Sequence, residues 1–71
     1  MISPNRLELL RALEQISSVN PDLRLGQLLV NLSYLARGPS AEAIWDAEDD
    51  ELLRAARTFL AKLTVDRASV A

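Results

Sequence analysis

Asp46, Glu48, Asp49, Asp50 and Glu51 form the densest set of ionisable groups in the chain. Carboxylates this close are the ligands that hard cations such as calcium and magnesium take. The run lacks the Asp-x-Asp-x-Asp-Gly spacing of an EF-hand, and no glycine stands nearby to make that loop's sharp turn. Acidic residues at a helix start have a simpler use, because they cap free N–H groups and sit well at the positive end of the helix dipole. Asp50 and Glu51 are also spaced to pair with Arg54. We expect a helix start without metal, and a partner-facing acidic patch as its second use.

Other chemistry finds little material. His 0 and Cys 0 remove the usual proton shuttle, thiol nucleophile and zinc ligands. The sequence contains no serine nucleophile elbow and no glycine-rich phosphate loop. A carboxylate pair would need a concave pocket to shift its pKa values, and a small helical domain rarely encloses one. The expectation is a chain without catalytic residues and without a cofactor.

Three features point to binding or packing. Arg24, Gln27 and Asn31 fall in one row at helical spacing. They could bond the connection or the third helix, with Arg24 pairing to Glu48, Asp49 or Asp50, or they could rim a docking surface. Trp45, the lone tryptophan, reads as a plug closing one end of the core or as an exposed anchor for a partner. Gly26 weakens a helix interior by roughly 1 kcal/mol relative to alanine. Its presence suggests the close approach of another helix or of Trp45, or a ligand lying against the backbone.

The elements that must position these residues are helices. Leucine and alanine dominate an apolar share of 49%, a mixture that favours helix over strand. Ser3-Pro4 opens the first helix, with serine as cap and proline at the first position; it stops before Asn20-Pro21, near Val19. Asn20 and Pro21 repeat the pattern for a second helix, which Gly38-Pro39 ends after Arg37. Residues 38–47 connect, either as a short turn capped by Ser40 or with Ile44 and Trp45 extended into the core. The third helix starts near the acidic run, with Asp46 or Asp49 as cap, and fades near Leu63.

On the helical wheel, Leu9, Leu10, Leu13 and Ile16 face inward from the first helix. Leu52, Leu53, Ala56, Phe59, Leu60 and Leu63 do so from the third. The second helix carries one stripe of Leu25, Leu28, Leu29, Leu32 and Leu35, and another of Leu23, Val30 and Tyr34 on nearly the opposite side. A helix apolar on two faces is central in its fold or faces a partner.

Composition bounds the partners. The net charge is −2 and the pI 4.9. The basic residues are scattered singly, without the stripe that nucleic-acid binding needs. No uninterrupted apolar run is longer than Leu28-Leu29-Val30, which is far too short for a membrane span, and the first residues lack the layout of a secretory signal. The expected location is cytoplasmic.

Asn20-Pro21-Asp22-Leu23-Arg24-Leu25-Gly26-Gln27-Leu28-Leu29, followed by Trp45 and by Glu48-Asp49-Asp50-Glu51-Leu52-Leu53, resembles a set of small uncharacterised bacterial proteins. Those carry a Pro-Asp-x-Arg-x-Gly-Gln segment before an aromatic and a Glu-Asp-Asp-Glu-Leu segment. The resemblance covers roughly residues 7–63 and implies no activity. It does imply that Arg24, Gly26, Gln27 and the acidic run belong to one unit.

The expectation is therefore an all-α, compact three-helix domain over residues 1–63, with helices at about 4–19, 21–37 and 48–63. A buried middle helix, a short connection carrying Trp45 and a flexible tail over 64–71 complete it. Its role is that of a protein-interaction or self-association module, docking a protein partner or a second copy. The surface is Leu23, Val30 and Tyr34, rimmed by Arg24, Gln27 and Asn31. The other reading is an acidic regulator or nucleic-acid mimic that meets a basic surface through residues 46–51.

Overall fold

A computed structural model describes the backbone of residues 1–70 and the side chains of residues 1–63. Helix α1 spans Pro4–Val19. Its first turn is capped by Ser3, whose Oγ accepts from the Arg6 N–H at 3.3 Å, and Pro4 occupies a first-turn position where no N–H is needed. At the far end Asn20 leaves helical geometry while its N–H still donates to the Ile16 carbonyl at 2.8 Å.

That bond decides where the next helix begins. Asn20 is engaged in closing α1, and its own carbonyl accepts from the Leu23 N–H at 3.2 Å. Residues 20–23 thus form a tight turn with asparagine first and proline second, the places that β-turns favour for them. Helix α2 spans Leu25–Arg37, four residues later than the start expected at Pro21. Leu23 consequently lies in the turn rather than on the helix. Gly38 ends α2 as expected: its φ of 92° lies in the left-handed region and its N–H donates to the Tyr34 carbonyl at 2.7 Å.

The connection holds a single helical turn, α3, over Ala43–Asp46. Of the two shapes open to it, the short turn forms. The Ala43 N–H donates to the Ser40 carbonyl at 3.2 Å, Ala43 is buried, and Ile44 and Trp45 face outward. Helix α4 spans Asp49–Val70. The backbone of residues 64–70 continues this helix where a tail was expected, and Ala71 lies outside the described residues.

The packing order differs from the expected one. Helix α4, not α2, is the central element: it packs along α1 and against α2, while α3 covers part of α2. Leu9, Ala12 and Ile16 of α1 meet Leu28 and Leu32 of α2 and Leu53, Ala55 and Ala56 of α4 in one buried cluster. The pair Ala55-Ala56 explains why α4 can serve two neighbours, since small side chains let both helices come close. Burying the leucine and isoleucine side chains of this cluster contributes about 1.5–3 kcal/mol each relative to exposure.

The inward faces are narrower than the wheel suggests. Leu10, expected on the inward face of α1, is exposed, and so are Leu25 and Leu35 of the α2 leucine stripe. Leu25 is the first residue of α2, where the late start leaves it at the helix end. On α2 the buried set is Leu28, Leu32 and Ser33. Because α3 approaches from a second side, the hidden arc shifts towards Ser33, whose Oγ is satisfied by donating to the Val30 carbonyl at 2.7 Å.

Three ion pairs among the described residues tie the outer helices to α4: Arg6 with Asp49 at 2.9 Å, Arg37 with Glu51 at 2.9 Å, and Glu8 with Arg57. Among the described residues, no helix is long and apolar enough to cross a membrane.

Candidate functional site

The acidic run is built largely into the start of α4. The Glu48 carbonyl accepts the helix's first bond from the Leu52 N–H at 2.9 Å. Glu51 reaches back, and its Oε1 accepts from the Glu48 N–H at 3.0 Å. The same oxygen accepts from Arg37 at 2.9 Å. The Glu48 N–H bond chiefly holds the Glu51 carboxyl below the ordinary carboxylate range, followed by the Arg37 bond and, more weakly, by the charges of Arg37 and Arg54. Asp49 accepts from Arg6 through both oxygens, at 2.9 and 3.4 Å.

The pairing partners therefore differ from those expected. Glu51 pairs with Arg37 rather than Arg54, and Asp50 and Arg24 take part in none of the ion pairs among the described residues. Asp46, Glu48 and Asp50 are exposed. No group of three carboxylates among the described residues is arranged to hold a metal ion.

Arg24 and Gln27 belong together for a reason the row spacing did not give. The Gln27 Oε1 accepts from the Arg24 N–H at 3.3 Å, so the two open α2 as Glu48 and Glu51 open α4. In each case a side chain at the third helical position satisfies the N–H of the capping residue. Arginine carries no acceptor to return the bond, so this is half of a capping box. The Arg24–Gln27 and Glu48–Glu51 segments thus begin two helices by one device.

Gly26 is not approached by Trp45 or by another helix. A Cβ added there meets no heavy atom within 4 Å. It stands on the floor of a shallow groove lined by Leu23, Gln27, Val30 and Asn31. The structure therefore brings together four of the six residues expected to form a docking surface. Leu23 and Val30 are half-buried and Tyr34 is exposed. Tyr34 and Arg24 lie outside the lining, and Leu23 also leans on the core.

Trp45 is not a plug. It is 86% exposed on the one-turn helix α3, and acids surround it in sequence: Glu42, Asp46, Glu48, Asp49 and Asp50.

A second apolar groove was missed at the sequence level. Leu35 of α2 and Phe59 and Leu63 of α4 line it, with Thr58 and Lys62 at its side. A neighbouring hollow shares Leu35 and Thr58 and adds Ala36, Ala55, Glu51 and Arg54. Phe59 and Leu63 do pack against the core, as the wheel expected, but their outer edges and Leu35 remain open to form the groove. A signal existed in the row Arg54, Thr58 and Lys62, whose spacing of four places polar groups directly beside Phe59 and Leu63. In comparisons with known proteins, the chain matches no family model, no curated protein and no solved structure.

Proposed function

We propose that the chain is a non-enzymatic protein-interaction module that docks its partner on the outer side of α2. Leu23, Val30 and Tyr34 supply the apolar contact, and Arg24, Gln27 and Asn31 supply the polar rim. The observation carrying this reading is the open groove over Gly26: a helical glycine whose added Cβ would meet no heavy atom within 4 Å among the described residues. Glycine weakens a helix, and here the fold makes no internal use of the space it leaves. A partner side chain or helix laid against Val30 and Leu23 would use it.

The test places a photoreactive phenylalanine analogue at Tyr34 and irradiates the protein in its native cell. A discrete adduct is expected, and its mass identifies either a second copy or another protein. Gly26→Gln starts from a position where an added Cβ meets no heavy atom within 4 Å, projects a side chain into the groove and is expected to suppress that adduct. A folded probe protein that yields no adduct, or a Gly26→Gln variant that yields the same one, refutes this surface.

The acidic reading keeps one observation in its favour, namely that Asp46, Glu48 and Asp50 are exposed and outside the ion pairs. Titration with a basic polypeptide tests it. Binding that weakens steeply with salt and disappears when Asp46 and Asp50 become asparagine supports that role.

A further inference from the structure

We infer that two copies of this chain pair through Trp45, each inserting its indole into the Leu35, Phe59 and Leu63 groove of the other. The inference uses none of the α2 surface residues named above and stands apart from that reading.

Chemical complementarity carries it. Trp45 is the largest apolar side chain in the protein and is 86% exposed, while Leu35, which borders the groove, is 55% exposed. The groove's apolar lining of Leu35, Phe59 and Leu63 suits an indole, because aromatic rings bury most of their surface against such side chains. The charges match as well. Glu42, Asp46, Glu48 and Asp50 flank the tryptophan in sequence and are exposed. Lys62 lines the groove, and Arg54 lines the adjoining hollow beside Glu51, whose carboxylate is paired with Arg37. Neither Lys62 nor Arg54 takes part in an ion pair among the described residues. An acidic, tryptophan-bearing turn and a cationic apolar groove thus occur on one molecule. Reciprocal insertion about a two-fold axis uses each surface once per copy and closes the assembly as a dimer.

Magnitude sets the expected strength. One indole buries about 150–250 Å², so two insertions fall short of the roughly 1,200–2,000 Å² of a standard stable interface. The dimer is therefore weak, visible at high protein concentration, and sensitive to salt.

With Trp 1 in the sequence, fluorescence excited beyond the tyrosine absorption band reports this position alone. Raising the protein concentration towards the millimolar range is expected to shift the emission to shorter wavelength as the indole leaves water. Sedimentation should show the mass rising from monomer to dimer in parallel. Trp45→Ala should weaken the dimer by roughly 30-fold or more, as loss of a hot-spot residue does. Lys62→Glu should weaken it at low salt, and adding Asp46→Lys should restore it by exchanging the charges. These positions are all exposed, and an unchanged helical circular dichroism spectrum checks that each variant folds. Emission and mass that stay those of a water-exposed monomer at every concentration overturn the inference. So does a dimer that survives Trp45→Ala. A dimer lost in Tyr34→Glu but kept in Trp45→Ala overturns it too, while leaving the α2 surface in place.

Discussion

The two glycines give opposite tests of one substitution. A Cβ at either position meets no heavy atom within 4 Å, so packing does not decide the outcome and the backbone does. Gly26 sits in the first turn of α2 at ordinary helical geometry. Gly26→Ala is therefore expected to raise stability by about 0.5–1 kcal/mol, because alanine loses less backbone entropy on folding. Gly38 holds a φ of 92°, where a side chain is strained, and Gly38→Ala should cost about 1 kcal/mol. Urea midpoints of the two variants, one above and one below the parent, check both. At the same scale, Glu51 links stability to pH. Its folded-state pKa lies below the ordinary glutamate value, so its contribution is complete above that ordinary value and fades as pH falls through the depressed pKa. Glu51→Gln keeps an oxygen for the Glu48 N–H but loses the charge facing Arg37. Its stability should fall less steeply than the parent's in acid, as urea midpoints measured from about pH 7 down to about pH 3 would show. Equal slopes would mean the capping carboxylate is not what acid attacks.

At the scale of elements, substitutions should separate true core from apolar surface. Ile16→Ala and Leu32→Ala each empty a fully buried site and should cost about 2–5 kcal/mol. Leu25→Ala, at a side chain 57% exposed, should change stability by less than about 0.5 kcal/mol. Ala56→Leu places extra volume where α4 meets its neighbours and should cost about 1–3 kcal/mol. Thermal melts of the four variants read the ranking directly. This ranking also marks where the sequence was legible. Ser3-Pro4 and Arg37-Gly38 each carry a local hydrogen-bonding instruction, and the boundaries of α1 and the end of α2 follow from them. Asn20-Pro21 carries two such instructions, a cap and a turn. The Ile16 and Leu23 bonds settle it as a turn, which a pattern of residue types does not contain. Which helix lies in the middle was also illegible. A leucine-rich α2 outscores an alanine-bearing α4 on any apolar wheel, yet it is smallness at Ala55 and Ala56 that lets a helix be flanked on two sides. The same bias favoured burial for Leu10, and for Trp45 in the first of its two readings, yet both side chains are exposed. Roughly half or more of a folded protein's accessible surface is apolar in any case. Of the candidate surface, the grouping of Gln27, Val30 and Asn31 was readable from helical spacing, whereas Leu23 joins it from the turn and the open floor at Gly26 was not readable.

For the molecule as a whole, size makes association and stability one question. A chain of 71 residues hides only about 60% of its unfolded surface, which leaves a thin margin. The three ion pairs do not widen it much, since partners that remain partly in water, such as Arg6 at 60% side-chain exposure, typically contribute 0–1 kcal/mol. Salt should therefore move the melting temperature of the dilute protein only slightly. Concentration should move it more. A partner that binds only the folded state adds roughly 1.4 kcal/mol at about ten times its Kd, which for a domain of this size is about 6–11 °C. We expect the parent's midpoint to climb with protein concentration at low salt and to climb less at high salt. Trp45→Ala should show a flat profile, because its folded monomer gains nothing from mass action. Tyr34→Glu serves as the control at the other surface and should climb like the parent if α2 receives a different protein. A parent profile that is flat at low salt would mean the monomer's own helix packing supplies all of its stability. The exposed indole would then have no role in holding two copies together.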